Sequence, residues 1–444
     1  MDEEGGHMKH IVFPAGFLMA TALIGSPAVS QELTLGQLKA ELTTLRESLD
    51  SLHASRSSES FSDDPIENLE ERLEKRFAEL ERKINSISGS TSEIVFNPRT
   101  TAFINVAARA DSREVLDAEE SAEISNRGYL RGLELDFRSA VDPYAEAVAI
   151  VAIENEAGEG FAAHPEEVYG LIKRLPILES APWGLKLKVG KFRAPFGVNN
   201  KLHLHDIPWI TRPLIVSKFL GTEHGDFFES GFSPTGADLD FFVPHPFTGA
   251  TVEMNLGVLN GGELGLGGSS GETGMLAHLN ISSDWHNEHI LTAGLSGYTE
   301  GGDSPPTLLG ADLTYKWSPS ENRMSNSLVL GGEFFSGAYS VIDSLGSVTT
   351  NRPMGWYAYV QYQLSYSWYL GARYDWVQEP EEPDYETRSV GIYASYYTTE
   401  FFRIRFGIER RMSTLPDFNP LTTALFEFNF VFGSHPTEPY WVNR

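Results

Sequence analysis

Residues 402–409 read FRIRFGIE, in which phenylalanine or isoleucine alternates with arginine, glycine or glutamate. A β-strand turns successive side chains to opposite faces, so this stretch presents an apolar face and a charged face. Arginines alternate with phenylalanine and isoleucine on a strand where the two faces meet different surroundings. The same two-residue period recurs in LELDFR at 133–138 and in LGADLTYKW at 309–317. A soluble β-sandwich alternates as well, so the period by itself predicts strands rather than a membrane protein.

The stretch FEFNFVF at residues 426–432 favours a membrane barrel over a soluble sandwich. All four phenylalanines fall on one face of this strand, and an all-phenylalanine face suits contact with lipid. Its place near the C-terminus makes this stretch similar to the terminal strand that barrel-assembly machinery recognises, although residues 433–444 follow it. Six tryptophans near strand ends are expected at the membrane interface: Trp183, Trp285, Trp317, Trp356, Trp368 and Trp376.

The spacing of the strands gives the topology. Candidate strands begin near residues 101, 129, 144, 167, 184, 236, 251, 275, 289, 306, 326, 355, 367, 387, 400 and 421. This is about sixteen, an even number, as a closed bacterial barrel requires. Predicted inner connections are brief: 139–143, 284–288, 318–325, 364–367 and 398–400. Predicted outer connections are longer: 111–127, 262–274, 337–354 and 379–386. Alternating short and long connections predict an outer-membrane β-barrel, all-β and antiparallel, over residues 93–444.

Composition excludes several functional classes. The 444-residue chain has a formal net charge of −27, so no overall positive field would attract nucleic acid. It contains no cysteine, which excludes disulfides, thiolate metal sites and cysteine catalysis. No serine-hydrolase elbow, zinc-protease helix or phosphate-binding loop is present, so we expect neither an enzyme nor a bound cofactor.

The N-terminal part predicts export and a helical stem. Residues 8–25 have a charged start and an apolar run, and Ala28 to Ser30 supply small residues for cleavage before Gln31, so 1–30 are interpreted as a signal peptide with an upstream extension. Heptad-spaced apolar residues in 31–92 predict an α-helical coiled-coil stem in the periplasm. The alternative is an amphipathic helix packed on the chain's own domain. The seam residues are Leu35, Leu38, Leu42, Leu45, Leu49, Leu52, Ile66, Leu69, Leu73, Phe77, Leu80, Ile84 and Ile87.

The third outer connection, roughly 193–236, is the longest and is the predicted functional segment. It holds apolar residues such as Trp209 and Phe219 that would be unfavourable in water, so we expect it to fold inward and pack on the barrel wall. Between Lys186 and Lys218 the chain has seven lysines and arginines against Asp206 alone. Rings of basic side chains in a pore favour anions.

The predicted pore-lining, anion-binding residues are Lys186, Lys188, Lys191, Arg193, Arg212, Lys218, Arg403 and Arg405. The alternative is that they are ordinary lumen charges paired with Glu134, Asp136, Asp312 and Glu409. His203 and His205 are weak metal candidates, because two histidines two residues apart can share one face of an extended segment. No third ligand is evident at a recognisable spacing, so we expect no metal.

Four short stretches carry a resemblance to a known family: GKFRAPFG at 190–197, HLHDIP at 203–208, RPL at 212–214 and FLG at 219–221. Together with the order of signal, stem and barrel, they resemble the phosphate-selective porin-like family and its uncharacterised relatives. The resemblance implies a sixteen-stranded, trimeric outer-membrane channel with an inward-folded third loop.

Two functions from different classes remain open. The first is a passive porin channel for small hydrophilic solutes, with a bias toward anions. The second is a structural tether, in which the stem binds the cell wall or a periplasmic partner. Deleting residues 33–87 would then harm the envelope while solute uptake persists. Acidic residues in 379–386 are expected to bind lipopolysaccharide through divalent cations. Energised uptake is disfavoured, because about 350 residues cannot hold a plug within a 22-stranded barrel.

Overall fold

The computed structural model describes residues 98–115, 123–156, 160–175, 181–221, 231–245, 249–266, 271–319, 326–342, 348–416 and 418–433. The strands are β1 Arg99–Asp111, β2 Gly128–Ala140, β3 Ala145–Glu156, β4 Gly160–Ile172, β5 Lys186–Lys191, β6 Thr235–Phe242, β7 Ala250–Asn260, β8 Thr273–Trp285, β9 His289–Glu300, β10 Thr307–Trp317, β11 Ser327–Ile342, β12 Val348–Asn351, β13 Met354–Gln363, β14 Trp368–Gln378, β15 Glu386–Thr399, β16 Phe402–Ser413 and β17 Leu421–Gly433. Within these described residues there is one α-helix, α1, which spans Leu214–Phe219.

Sixteen of these strands form a closed antiparallel barrel. Each pairs with its neighbour in sequence, and β17 returns to pair with β1 from Thr101↔Gly433 to Asp111↔Thr423. Closure leaves no unpaired edge, which is the condition for a sheet to sit in lipid. The predicted barrel and its strand number are confirmed.

Two predicted strand boundaries were wrong. β4 begins at Gly160 rather than near 167, because a β-bulge at Glu166, next to Pro165, interrupts the alternation that marked the strand. The predicted loop at 337–354 contains the end of β11 and the short strand β12, which pair as a hairpin from Tyr339↔Asn351 to Ile342↔Val348. The predicted alternation of connection lengths also has two exceptions. The outer connection 157–159, between β3 and β4, is short, and the inner connection 173–185, between β4 and β5, is long.

The outer surface of the barrel is apolar. Phe406, Ile392, Leu313 and Phe432 are all exposed on the outside of their strands, and four of the six predicted interface tryptophans, Trp183, Trp285, Trp356 and Trp368, are exposed as well. A closed barrel with an apolar outer band and a polar interior is the architecture of the bacterial outer membrane, where the protein resides. Within the described residues, no helix has the length and apolar character needed to cross a membrane.

The main buried cluster lies inside the barrel, where the connection between β5 and β6 packs on inward-facing side chains. The predicted signal peptide and coiled-coil stem lie outside the described residues.

A charge on the outer face tests the membrane assignment. Leu313 is 51 % exposed near the middle of β10, so Leu313→Arg would be nearly neutral in a water-soluble barrel. In lipid it is expected to lower the free energy of unfolding by about 2–4 kcal/mol, whereas Val348→Arg, on β12 in a connection, should cost about 0–1 kcal/mol. Denaturant titration in lipid vesicles, followed by tryptophan fluorescence, measures both. Equal losses would contradict the assignment.

Candidate functional site

The connection between β5 and β6, residues 192–234, is called L3 here. Its described part is almost entirely buried: Phe192, Phe196, Ile207, Ile215 and Phe219 have no solvent-accessible surface. A buried loop must satisfy its own backbone polar groups, because water cannot reach them. The barrel wall supplies partners for both the carbonyls and the amides of L3.

Three inward arginines supply the donors. Arg403 and Arg405 on β16 and Arg373 on β14 form what we call the arginine ladder, and each has at most 4 % exposure. They donate to alternate carbonyls of L3: Arg403 Nη2 to His205 O at 2.8 Å, Arg405 Nη1 to Ile207 O at 2.7 Å and to Trp209 O, and Arg373 Nη1 to Thr211 O at 2.6 Å. The ladder therefore holds residues 205–211, a segment of turns and bends, against the wall.

Glu427 on β17 anchors the ladder. Both of its carboxylate oxygens accept from Arg405, at 2.7 Å each, and Arg131 Nη1 donates to it at 3.2 Å. Arg131 is the extra residue of a β-bulge, since Asn105 pairs with Gly132 and the next residue of β1 pairs with Leu130. Glu427 has no accessible surface, so its charge is offset by arginines rather than by water.

Other side chains of the barrel wall accept hydrogen bonds from the backbone amides of L3. Glu333 accepts from Val198 N at 3.1 Å and from Asn199 N at 2.8 Å. Further acceptors are Ser296 Oγ for Gly197 N, Glu167 for Arg193 N and Asp375 for Leu214 N. Gly197 has φ +63°, and a Cβ there would lie 2.0 Å from a Glu333 oxygen, so only glycine permits this approach.

Apolar packing fixes the same part of L3. The Trp209 ring meets the rings of Tyr357, Tyr359 and Tyr393 edge-on, at centroid distances of 5.7, 4.8 and 6.2 Å. The Arg373 guanidinium lies 5.0 Å from the Trp209 ring. Each such aromatic pair adds about 0.5–1.5 kcal/mol beyond the area it buries. L3 is therefore packed on the wall, as the sequence predicted.

Beside L3 the lumen keeps a polar cavity of about 330 Å³. Its wall residues come from β1 to β7, while six residues of L3 close the other side. Seven carboxylates line it, those of Glu134, Asp136, Glu167, Asp206, Asp238, Asp240 and Glu253, against five lysines and arginines, Arg138, Lys186, Lys188, Arg193 and Lys201. The cavity is charged with both signs, so it suits water and hydrophilic solutes rather than apolar ligands.

A histidine and three glutamates meet at the edge of this cavity. The bulge at Glu166 lets both Glu166 and Glu167 face the lumen, which a regular strand would forbid. His203 lies between them, with Nδ1 2.7 Å from Glu166 and Nε2 2.9 Å from Glu167. Burial disfavours a charged imidazole, but Glu134 and Glu166 outweigh it, and the pKa of His203 lies well above its usual value.

His205 shares one of these carboxylates. Its Nδ1 lies 3.2 Å from Glu134, and its ring stacks on Phe103 at 3.7 Å. The two weak metal candidates therefore lie among carboxylates that the sequence did not assign to them. Glu134 was predicted only as a lumen charge, and the bulge that directs Glu166 inward leaves no clear mark in a single sequence.

The predicted pore-lining cations fall into three groups. Lys186, Lys188 and Arg193 line the cavity. Lys191 donates to Ser233 O, and Lys218 pairs with Glu379 at 2.7 Å. Arg212, Arg403 and Arg405 have no accessible surface, so their interpretation as pore-lining residues is corrected: they donate to L3 carbonyls and to Glu427. Two of the acids named in the alternative, Asp136 and Glu409, pair with Arg138 and Arg373, which are not among the eight predicted cations.

No family model matches the chain. An uncharacterised protein of Aquifex aeolicus (strain VF5) is 26 % identical over 354 residues, which is 71 % of this chain and 70 % of that protein. Among solved structures, OprB of Pseudomonas putida at high pH has a TM-score of 0.49 at 9 % identity, covering 78 % of this chain and 97 % of that one. The outer-membrane channel DcaP of Acinetobacter baumannii has a TM-score of 0.46 at 10 % identity, covering 76 % and 97 %.

Removing the charge of Glu427 is expected to release L3. In Glu427→Gln, Arg403 and Arg405 keep their buried positive charges but lose their carboxylate partner, at a cost of about 3 kcal/mol. If L3 opens locally, trypsin should cleave after Lys218, which Phe219 follows, on the order of 100-fold faster than in the wild type. Limited digestion in detergent measures the rate.

Glu146→Gln is the matched control for this substitution. Glu146 pairs with Lys173 near the rim, where the lysine side chain is half exposed, so the change should cost under about 1 kcal/mol and leave the cleavage rate unaltered. Wild-type cleavage of Glu427→Gln would show that this carboxylate does not hold L3.

Proposed function

We propose that the protein is a passive outer-membrane channel for small hydrophilic solutes, which pass through the space between L3 and the β1–β7 wall. The observation that carries the proposal is the charged cavity of about 330 Å³ in the lumen. L3 fills the opposite part of the barrel, where the arginine ladder and the packing of Trp209 on Tyr357, Tyr359 and Tyr393 hold it. A barrel that served only as an anchor would not need a water-compatible cavity beside a docked loop.

The proposed anion bias rests on the cations that face the cavity. Lys186 and Lys188 on β5 are aligned with Asp240 and Asp238 on β6, and Lys186 Nζ lies 3.3 Å from Asp240. Lys188 lies over the rings of Tyr169 and Phe192. Carboxylates outnumber the cations in the lining, which by itself favours cations, so an anion bias requires that Lys186 and Lys188 outweigh this excess. The proposed anion bias is therefore expected to be weak. The channel is expected to select solutes by hydrophilicity and small size rather than by a dedicated anion site.

A homotrimer, contacts with lipopolysaccharide and the coiled-coil stem remain proposals from the sequence. Glu379, one of the acids predicted to bridge divalent cations, is instead buried and paired with Lys218. The structural tether remains the rival function.

Single-channel recording in planar bilayers under a salt gradient tests the channel and its bias. The wild type should open in discrete steps with a weakly anion-signed reversal potential. Lys186→Gln combined with Lys188→Gln should move the potential toward cations, because a unit charge about 4 Å from an ion in water contributes about 1 kcal/mol, or roughly fivefold in relative permeability.

Two control variants accompany this measurement. The pair Lys186→Arg and Lys188→Arg keeps the charge and should keep the wild-type potential. Lys173→Gln removes a charge from the turn after β4, away from the cavity lining, and should also leave the potential unchanged. A barrel that inserts without conducting would favour the tether, and an unchanged potential in the double glutamine variant would remove the assigned role of these lysines.

A further inference from the structure

The junction at which L3 meets β2 and β4 has the geometry of a metal site. His203 Nδ1 lies 3.4 Å from Glu134 Oε2 and 2.7 Å from Glu166 Oε2, and the candidate ligand atoms of these three residues lie within 4.8 Å of one another. They come from three separate segments, L3, β2 and β4. This convergence is produced by the fold and does not appear as a spacing in the sequence.

Glu167 orients the histidine toward the other two carboxylates. His203 Nε2 lies 2.9 Å from Glu167 Oε1, and a carboxylate accepts hydrogen bonds, so Nε2 carries the hydrogen. The Nδ1 atom then faces Glu134 and Glu166. A carboxylate that accepts from the remote nitrogen of a metal-binding histidine is a common arrangement around protein metal ions, because it fixes the ring and raises its basicity.

Two atoms at the centre of the junction lack hydrogen bonds. Glu166 Oε2 and His203 Nδ1 are both buried, on residues 8 % and 7 % exposed, and neither has a hydrogen-bond partner. Their 2.7 Å separation brings two electron-rich atoms together without hydrogen-bond alignment. Such a contact is unfavourable unless a proton or a metal ion lies between the two atoms.

The charge at the junction matches a divalent ion. Glu134, Glu166 and Glu167 supply three negative charges, and Arg193 supplies one positive charge at 3.8 Å from Glu166. When a metal ion replaces the proton on His203 Nδ1, the remaining groups of the junction carry two negative charges. Glu134 and His203 also line the lumen cavity, which gives an ion a path to the site from solvent.

We propose that Glu134, Glu166 and His203 bind a divalent first-row transition-metal ion, which joins L3 to strands β2 and β4. An imidazole nitrogen with two carboxylate oxygens suits ions such as Zn²⁺ and Mn²⁺, whereas Mg²⁺ and Ca²⁺ prefer oxygen ligands alone. Water occupies the remaining coordination positions, on the side of the cavity. The site goes beyond the proposed channel and does not require that the barrel conduct.

Zn²⁺ is the probe for the test. The full-length protein, folded in detergent and stripped with a chelator, should take up Zn²⁺ with a component of one ion per chain that depends on these residues, measured by calorimetry and by metal analysis after dialysis. Glu166→Gln and His203→Asn should each weaken that component by at least about tenfold, and Glu167→Gln should weaken it by about 10- to 100-fold while the site still saturates at one ion. Mg²⁺ should not compete.

His278→Asn is the matched control. His278 is also buried in the barrel, and its Nδ1 bonds to Ser296 Oγ at 2.8 Å, so its loss should leave Zn²⁺ binding unchanged. A wild-type protein that takes up no Zn²⁺, or site variants that bind as tightly as the wild type, would overturn the proposal.

Anomalous diffraction at the zinc edge keeps the test decisive if a site variant fails to fold. A peak among Glu134, Glu166 and His203 in the wild-type crystal supports the site, and a peak only elsewhere overturns it. Because the binding is measured without voltage or solute, its failure leaves the conductance result unaffected, and a silent barrel leaves the metal result unaffected.

Discussion

The hydrogen-bonding requirement of a buried loop governs the interior of this barrel. Most of the described part of L3 is buried away from water, so its buried amides and carbonyls need partners from the protein. The barrel wall supplies both donors and acceptors. The arginine ladder donates to carbonyls of residues 205–211, and Glu333 and Asp375 accept from backbone amides of L3. Lumen charges in the β9–β17 part of the wall therefore hold the loop in place.

The charged side chains of the lumen fall into two groups according to what they contact. Toward β9–β17, arginine and glutamate side chains bond to L3 or to one another, as Arg405 bonds to Glu427. Toward β1–β7, Lys186, Lys188 and several carboxylates keep their access to the cavity. In the proposed channel a solute passes through this second region, toward β1–β7, so the anion preference is not expected to follow the number of basic residues in the whole chain.

Much of the barrel was predictable from the sequence, because the two-residue period marks strands wherever one face meets lipid. The starts of β10 and β17 and the position of L3 were found in this way. The bulge at Glu166 was not, since an extra residue breaks the period that defines the strand. The assignment of Arg403 to the lumen was right and its role was wrong, because its partner, the carbonyl of His205, lies 198 residues away. Side-chain polarity predicts a face, whereas a partner depends on the closed fold.

The most direct test of the docked loop is hydrogen exchange of the full-length protein in detergent, followed by mass spectrometry. Peptides that cover residues 196–220 should exchange as slowly as peptides from β16, because their amides are buried and the wall bonds Gly197, Asn199 and Leu214. Exchange of these peptides as fast as that of the connection at 379–385 would contradict the account, since it would show that the wall charges do not hold L3 inside the barrel.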